Sequence, residues 1–296
     1  MIMAGNQDLN PKLTIRGIDC FAHHWNVDPT KRPKALVVIF HGYLAHGNYP
    51  TVRYAAEFLS NDGFAVVAVD LPGHGRSEGI RGFLQSADTV ISDGIQIVDY
   101  ARNLYRDQPN LKLLLVGSSL GGAIALAIAH RLNKDDAAAA VAGVVLLAPM
   151  LKLNVGSVEH AALQFLAFIL PTVPLIPSSA TDDAKQYRDE SKRQECAEDA
   201  LTISGSKLLP ASALACVDLT LHNQENFSSI NSPFLLLIAD EDVVIKNEGS
   251  EELFAKSPSL DKTKKNYPAL HGLLCEPSPL FDEIKQDILQ WMNAHI

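Results

Sequence analysis

Cysteine is scarce in this 296-residue sequence, and its four residues, Cys20, Cys196, Cys216 and Cys275, fall in no CxxC or metal-ligand spacing. That pattern excludes a disulfide framework and gives a zinc site no foothold, so reduced thiols in a cytoplasmic protein are expected. Basic residues are outnumbered, 25 Lys and Arg against 34 Asp and Glu, for a formal net charge of -9. Such a chain has no electrostatic reason to seek nucleic acid. No apolar run reaches membrane-spanning length, and residues 1–11 lack the basic and apolar regions of a signal peptide. Neither secretion nor a transmembrane anchor is expected. Internal repeats are absent, and the alanine run at 137–140 is too short to count as low complexity.

What is present is an alternation of short apolar runs with longer helical patterns. The runs at 35–40, 65–69, 111–116, 143–148 and 234–239 are β-branched or leucine-rich without polar alternation. Strands of that kind are buried on both faces of a parallel sheet. Between and after them, residues 54–61, 87–105, 120–132 and 280–294 place apolar residues at helical spacing. The succession predicts one α/β domain with a doubly wound, mostly parallel sheet flanked by helices. Residues 13–25 have a looser pattern that could add an antiparallel edge. The rhythm breaks between 149 and 233, first in apolar, proline-punctuated sequence (161–177) and then in a polar, helix-like stretch (182–199). A gap that long reads as an inserted helical cap, which divides the chain into 1–149 with 234–296 and an insertion of 150–233.

Gly117-Ser118-Ser119-Leu120-Gly121 is a G-x-S-x-G pentapeptide fed by the apolar run 111–116 and followed by the small-residue stretch Gly122-Ala123-Ile124. A strand-to-helix turn of this kind holds the serine in a strained conformation at the carboxyl end of the sheet, and only glycines let strand and helix pass so closely. A serine hydroxyl becomes nucleophilic when a positioned base takes its proton and a carboxylate orients the base. His271 stands before the last helix, and Asp240-Glu241-Asp242 follows the run 234–239. From spacing alone, either Asp240 or Asp242 could serve. An oxyanion needs two backbone N–H donors, one from Leu120 and one from the loop His41-Gly42-Tyr43, where Tyr43 is the first choice and Leu44 the second. His41, His74 and Arg76 are read as scaffolding, the last two within the Pro- and Gly-rich turn Asp70 to Ser77.

With these residues placed, the chain resembles the monoacylglycerol lipase-like group of α/β-hydrolases, also called serine aminopeptidase S33 or hydrolase 4. It looks closest to the plant lysophospholipase and caffeoylshikimate esterase branch. The likeness is carried by His41-Gly42-Tyr43, Asp70 to Gly79, Arg81-Gly82-Phe83, Gly117 to Gly122, Leu147 to Met150, Asp242-Val243-Val244, Gly249-Ser250, Tyr267, His271 and Glu276-Pro277. The resemblance implies Ser119, His271 and Asp242 as the catalytic triad, Tyr43 and Leu120 as the oxyanion donors, and a cap over an acyl pocket. Three departures stand out. Ala239 replaces the glycine usual before the aspartate, the loop before His271 is a residue shorter, and Ser118 and Ala45 stand where animal monoacylglycerol lipases have a histidine and a glutamate. The last departure speaks against glycerol as the alcohol.

The expectation is a serine carboxylic-ester hydrolase acting through an acyl-enzyme on Ser119, on a monoacylglycerol, lysophospholipid or similar small ester, with no cofactor and no metal. The alternatives are a small-molecule receptor on the same scaffold, or a thioesterase or acyltransferase. Dehalogenase and epoxide hydrolase chemistry would need an acidic nucleophile at Ser119 and is excluded. Residues 161–170 are apolar nearly all round; they either pack down on the catalytic domain or touch a membrane surface as an interfacial helix would.

Overall fold

The computed structural model describes residues 13–296 apart from 27, 29, 136–139, 178–181 and 204–206. Residues 1–11 and most of the alanine run, on which expectations were placed above, lie outside the described residues. In chain order the elements begin β1 (Leu13–Ile15), β2 (Ile18–Cys20), β3 (Ala22–Trp25), β4 (Leu36–Phe40), α1 (Pro50–Asn61), β5 (Ala65–Val69), α2 (Ala87–Asn103), β6 (Leu113–Ser118), α3 (Leu120–Asp135) and β7 (Gly143–Leu147). They continue with α4 (Ser157–Ile169), β8 (Ile176–Pro177), α5 (Asp183–Gln186), α6 (Glu190–Ala197), β9 (Lys207–Leu208) and α7 (Pro210–Asn226). The chain finishes with β10 (Phe234–Ala239), α8 (Glu248–Lys256), β11 (Lys262–Tyr267) and α9 (Leu280–Ala294).

A seven-stranded sheet of order β11-β10-β7-β6-β4-β5-β3 forms the centre, parallel throughout except for β3, which pairs antiparallel with β5 at the edge. Every residue of β4, β5, β7 and β10 is buried. Successive side chains go to opposite faces. Leu36, Val38, Leu113, Leu115 and Leu236 pack with helices α2, α3 and α7, whereas Val37, Ile39, Leu114, Leu235 and Leu237 pack with α1 and α9. Each fully buried aliphatic side chain contributes about 1.5–3 kcal/mol, so a strand shifted by one residue would exchange its two faces and lose that fit. The strand order reverses direction between β4 and β6, because β5 follows β4 on one side while β6 and β7 build outward on the other. A crevice opens outside the carboxyl ends of strands at such a point. It lies between Phe40, where β4 ends, and Ser118, where β6 ends.

Several elements differ from expectation. Residues 13–25 split: β1 and β2 form their own hairpin, and β3 alone joins the large sheet. Arg16 and Gly17 both have positive φ (52° and 77°), as a two-residue hairpin turn of this hand requires. Arg16 then donates from Nε and Nη2 to the two oxygens of Asp93 on α2, at 2.7 and 2.8 Å, fixing the hairpin to the domain. Strand β6 starts two residues later than the apolar run and extends through Gly117 and Ser118. Strand β11, Lys-Thr-Lys-Lys-Asn-Tyr, carries no apolar signal because it is an edge strand; Lys264 and Lys265 pair outward with Glu251 and Asp287.

Between β7 and β10 lie α4 to α7 and the small antiparallel pair β8-β9. The polar stretch 182–199 is two short helices, the second capped by Asp189, whose carboxylate accepts from the N–H groups of Ser191 and Lys192. Helix α7, which the sequence does not announce, sends Ala215, Cys216 and Leu219 into the main core.

Candidate active site

Ser119 sits between β6 and α3 with φ +55°. For a non-glycine residue that conformation costs on the order of 1–3 kcal/mol and persists only when its surroundings impose it. Here they do: the Ser119 N–H donates to Leu147 O at 3.1 Å, and its carbonyl accepts from Gly122, Ala123 and Met150 N–H at 2.9–3.2 Å. The glycines are steric requirements. A Cβ on Gly117 would lie 2.1 Å from Gly121 O, one on Gly121 would lie 2.0 Å from Phe40 O, and one on Gly122 would lie 2.7 Å from Pro149 Cβ. Leu120 begins α3, so helix geometry leaves its N–H without an intrahelical acceptor and directed out of the helix end beside Ser119.

His271 follows β11, and Asp242 follows β10. Their contact, Nδ1 to Oδ2 at 2.6 Å, is nearly sealed from solvent, the side chains being 5% and 0% exposed. The other oxygen of Asp242 accepts from Val244 N–H at 2.8 Å and Ile245 N–H at 3.1 Å, which fixes the carboxylate against its own loop. With Nδ1 held by a carboxylate, the imidazole proton belongs there, leaving Nε2 as the acceptor. Asp240 faces outward and accepts from Asn266 Nδ2 at 2.7 Å, while Glu241 pairs with Arg188. Between the two aspartates that spacing leaves open, the geometry favours Asp242.

The structure thus brings together what the sequence singles out. Ser119, His271 and Tyr43 line one cavity of about 90 Å³, with Ser118 and Ala45 also in its wall. Leu120 follows Ser119 directly, and Asp242 reaches the cavity through His271. The Tyr43 loop turns tightly, Ala45 N–H donating to Gly42 O at 3.3 Å and Leu44 adopting φ +65°. His41 accepts from Leu71 N–H at Nε2 (3.0 Å), and His74 donates from Nδ1 to Pro72 O (3.1 Å). Burial pushes their pKa values down to about 4 and about 3, so both are neutral struts at pH 7.

Other residues hold this site through long-range contacts that no local sequence pattern announces. His46, fully buried, contacts Asp199 Oδ2 through Nε2 at 3.0 Å, and Ile203 N–H donates to Leu44 O at 3.1 Å. The segment after α6 therefore grips the Tyr43 loop at two points. Glu276 is equally hidden; it accepts from Leu270 N–H at 2.7 Å and from Arg188 Nε at 2.9 Å, while Gly272 N–H donates to Gln186 O at 2.8 Å. The His271 loop is thereby fixed to α5 and to the residues preceding α6. Among the described residues, His23, His46 and Asp70 are the one group close enough to suggest a metal. Their atoms are already hydrogen-bonded: Asp70 accepts from His23 Nε2, Gly47 N–H and Arg76 N–H, and His46 binds Asp199. The trio is a hydrogen-bonded brace.

Comparison with known proteins gives the family. Residues 31–278 match the hydrolase 4 family model, described as serine aminopeptidase, S33. Monoglyceride lipase of Rattus norvegicus is 28% identical over 301 residues, covering 98% of this chain and 92% of that one. Caffeoylshikimate esterase of Arabidopsis thaliana is 24% identical, covering 89% and 79%. The crystal structure of Paleococcus ferrophilus monoacylglycerol lipase superimposes with a TM-score of 0.76 at 26% identity, covering 94% of this chain and 99% of that one. The chain belongs to the serine aminopeptidase S33 (hydrolase 4) family of α/β-hydrolases.

Proposed function

We propose that this chain, a serine ester hydrolase of the monoacylglycerol lipase type, cleaves single-chain carboxylic esters through an acyl-enzyme on Ser119. One observation carries the assignment: a buried His271–Asp242 pair opens onto the cavity that also presents Ser119 from its strained turn. Ser119 Oγ attacks the ester carbonyl as His271 Nε2 takes its proton, and the N–H groups of Tyr43 and Leu120 stabilise the oxyanion. Asp242 stabilises the imidazolium, which then protonates the departing alkoxide. Water repeats the sequence on the acyl-enzyme and releases the acid. No cofactor is required by this scheme. Brief exposure to a fluorophosphonate should add one phosphonyl mass to the wild type, and p-nitrophenyl esters should turn over. A wild type that neither labels nor turns over would sink the enzyme reading in favour of a small-molecule receptor.

Residues 150–233 act in this reading as a cap over the catalytic domain, and α4 is its contact with lipid. Leu163 packs on Ala213 and Val217 of α7, and His160 pairs with Asp218. Much of the remaining surface is apolar and open to solvent, interrupted by Glu159 and Gln164: Phe165 is 67% and Phe168 86% exposed, with Val158, Ile169, Leu170 and Val173 also exposed. Contiguous exposed apolar area of this kind marks an interaction surface. No helix among the described residues is long and apolar enough to cross a membrane, so the contact is a peripheral one in which these side chains enter the interface. Replacing Phe165 and Phe168 together by serine should weaken co-sedimentation with phosphatidylcholine vesicles about tenfold or more, from the apolar area withdrawn. Hydrolysis of a short soluble ester should stay unchanged. Undiminished vesicle binding would refute the role of α4.

A further inference from the structure

The cavity in front of Ser119 has a charge pattern that the proposed ester hydrolysis does not explain. Among the described residues its wall contains no lysine or arginine, and apart from His271 its one ionisable acid or base of ordinary carboxylate or amine type is Asp183, on α5. Among the described residues the Asp183 carboxylate makes no hydrogen bond or ion pair. Burial, followed by the neighbouring Asp182, pushes its pKa up, whereas Arg193, outside the cavity wall, acts on it only through space. The same wall holds three phenol rings, Tyr43, Tyr49 and Tyr187. Their hydroxyls are already engaged, Tyr49 with Tyr187 at 3.0 Å and Tyr43 donating to Gly82 O at 2.7 Å. With their hydroxyls engaged, any contact these side chains make with a ligand is through ring atoms.

A lone half-buried carboxylate beside aromatic rings is an environment for a cation. It repels phosphate and carboxylate groups. Size narrows the choice further. A volume of about 90 Å³ has room for roughly six water-sized groups, which suits a small alcohol.

Resting on the esterase reading of Ser119, we propose that this cavity is a cation subsite for the alcohol half of the substrate, and that Asp183 selects esters of small amino alcohols or quaternary ammonium alcohols. The ammonium group lies against the Tyr49 and Tyr187 rings with Asp183 as its counter-ion, while the ester carbonyl reaches Ser119.

The test compares hexanoylcholine with 3,3-dimethylbutyl hexanoate, an ester of the same shape in which carbon replaces the charged nitrogen. Wild type should show a kcat/KM about tenfold higher for the choline ester, a preference that declines as salt is raised. Asp183→Asn should bring the two within about twofold, chiefly by losing activity on the choline ester; a melting temperature within about 2 °C of wild type shows that the variant is folded. Equal rates for the two esters in wild type, or a preference that survives in Asp183→Asn, would overturn the assignment. Should wild type hydrolyse neither ester and resist fluorophosphonate, the esterase reading itself falls and the subsite with it. A wild type that labels and hydrolyses only the neutral ester defeats the subsite alone.

Discussion

Ser119→Ala should lose fluorophosphonate labelling altogether and retain on the order of one part in 10⁶ of the wild-type kcat, and Asp242→Asn should lose about 10⁴-fold. The second variant is the more informative, because it changes one atom while keeping the loop. The amide side chain it introduces still offers an oxygen to the N–H groups of Val244 and Ile245, which hold Asp242 at 2.8 and 3.1 Å, so thermal stability should change little. Its amide nitrogen, however, would meet His271 Nδ1 where a carboxylate oxygen now stands at 2.6 Å. Two donors cannot share that contact, so the imidazole must adopt the tautomer with its proton on Nε2 and can no longer take the Ser119 proton. The loss should fall on kcat, with KM nearly constant, and Ser119→Ala combined with Asp242→Asn should be no worse than Ser119→Ala alone. Asp240→Asn, in contrast, should leave the rate within roughly threefold, since Asp240 meets only Asn266 at the surface. If Asp240→Asn proves the damaging change and Asp242→Asn the mild one, the pairing of His271 described above does not operate in catalysis.

The contrast between these aspartates shows where sequence reading stops. The parallel strands were legible because burial on both faces leaves runs such as Leu36–Phe40 and Phe234–Ala239 without polar interruption. Ser119 was legible because its turn needs glycine at 117, 121 and 122 for steric reasons that act within a few residues. Choosing Asp242 over Asp240 needed the resemblance to a family, since two carboxylates two residues apart have the same local chemistry and differ in where β10 ends and which way the loop leaves it. Strand β11 was invisible because its pairing is supplied by β10 through the backbone, while its lysines face acidic partners. His46 with Asp199 and Arg188 with Glu276 were hidden for another reason: their partners lie 153 and 88 positions apart, and no periodicity links such distances. Helix α7 lies between these cases. Its small residues pack closely against α3 and the core without the broad apolar stripe that would have announced a helix.

Gly121→Ala should be among the most damaging single-methyl changes in the domain, costing on the order of 3 kcal/mol of stability and slowing labelling of Ser119 by roughly 10². The new Cβ would be 2.0 Å from Phe40 O and 2.8 Å from His41 O, both backbone atoms. No rotamer can relieve such a contact, because neither partner is the end of a flexible side chain. Either the first turn of α3 retreats from β4, carrying the Leu120 N–H with it, or the end of β4 gives way and moves the loop that holds Tyr43. Both routes separate the proposed oxyanion donors from the nucleophile, so folding and chemistry should fail together. For a chain of this size the stability loss corresponds to a melting temperature lower by roughly 6–12 °C. Gly42→Ala supplies the comparison: its Cβ would lie 3.7 Å from Ser119 Cβ and 3.8 Å from Ser118 O, ordinary contacts, and its melting temperature should stay within about 2 °C of wild type. A Gly121→Ala protein that melts and labels like Gly42→Ala would mean that α3 and β4 can separate at no cost, and the close approach could not be what holds Ser119 in its strained turn.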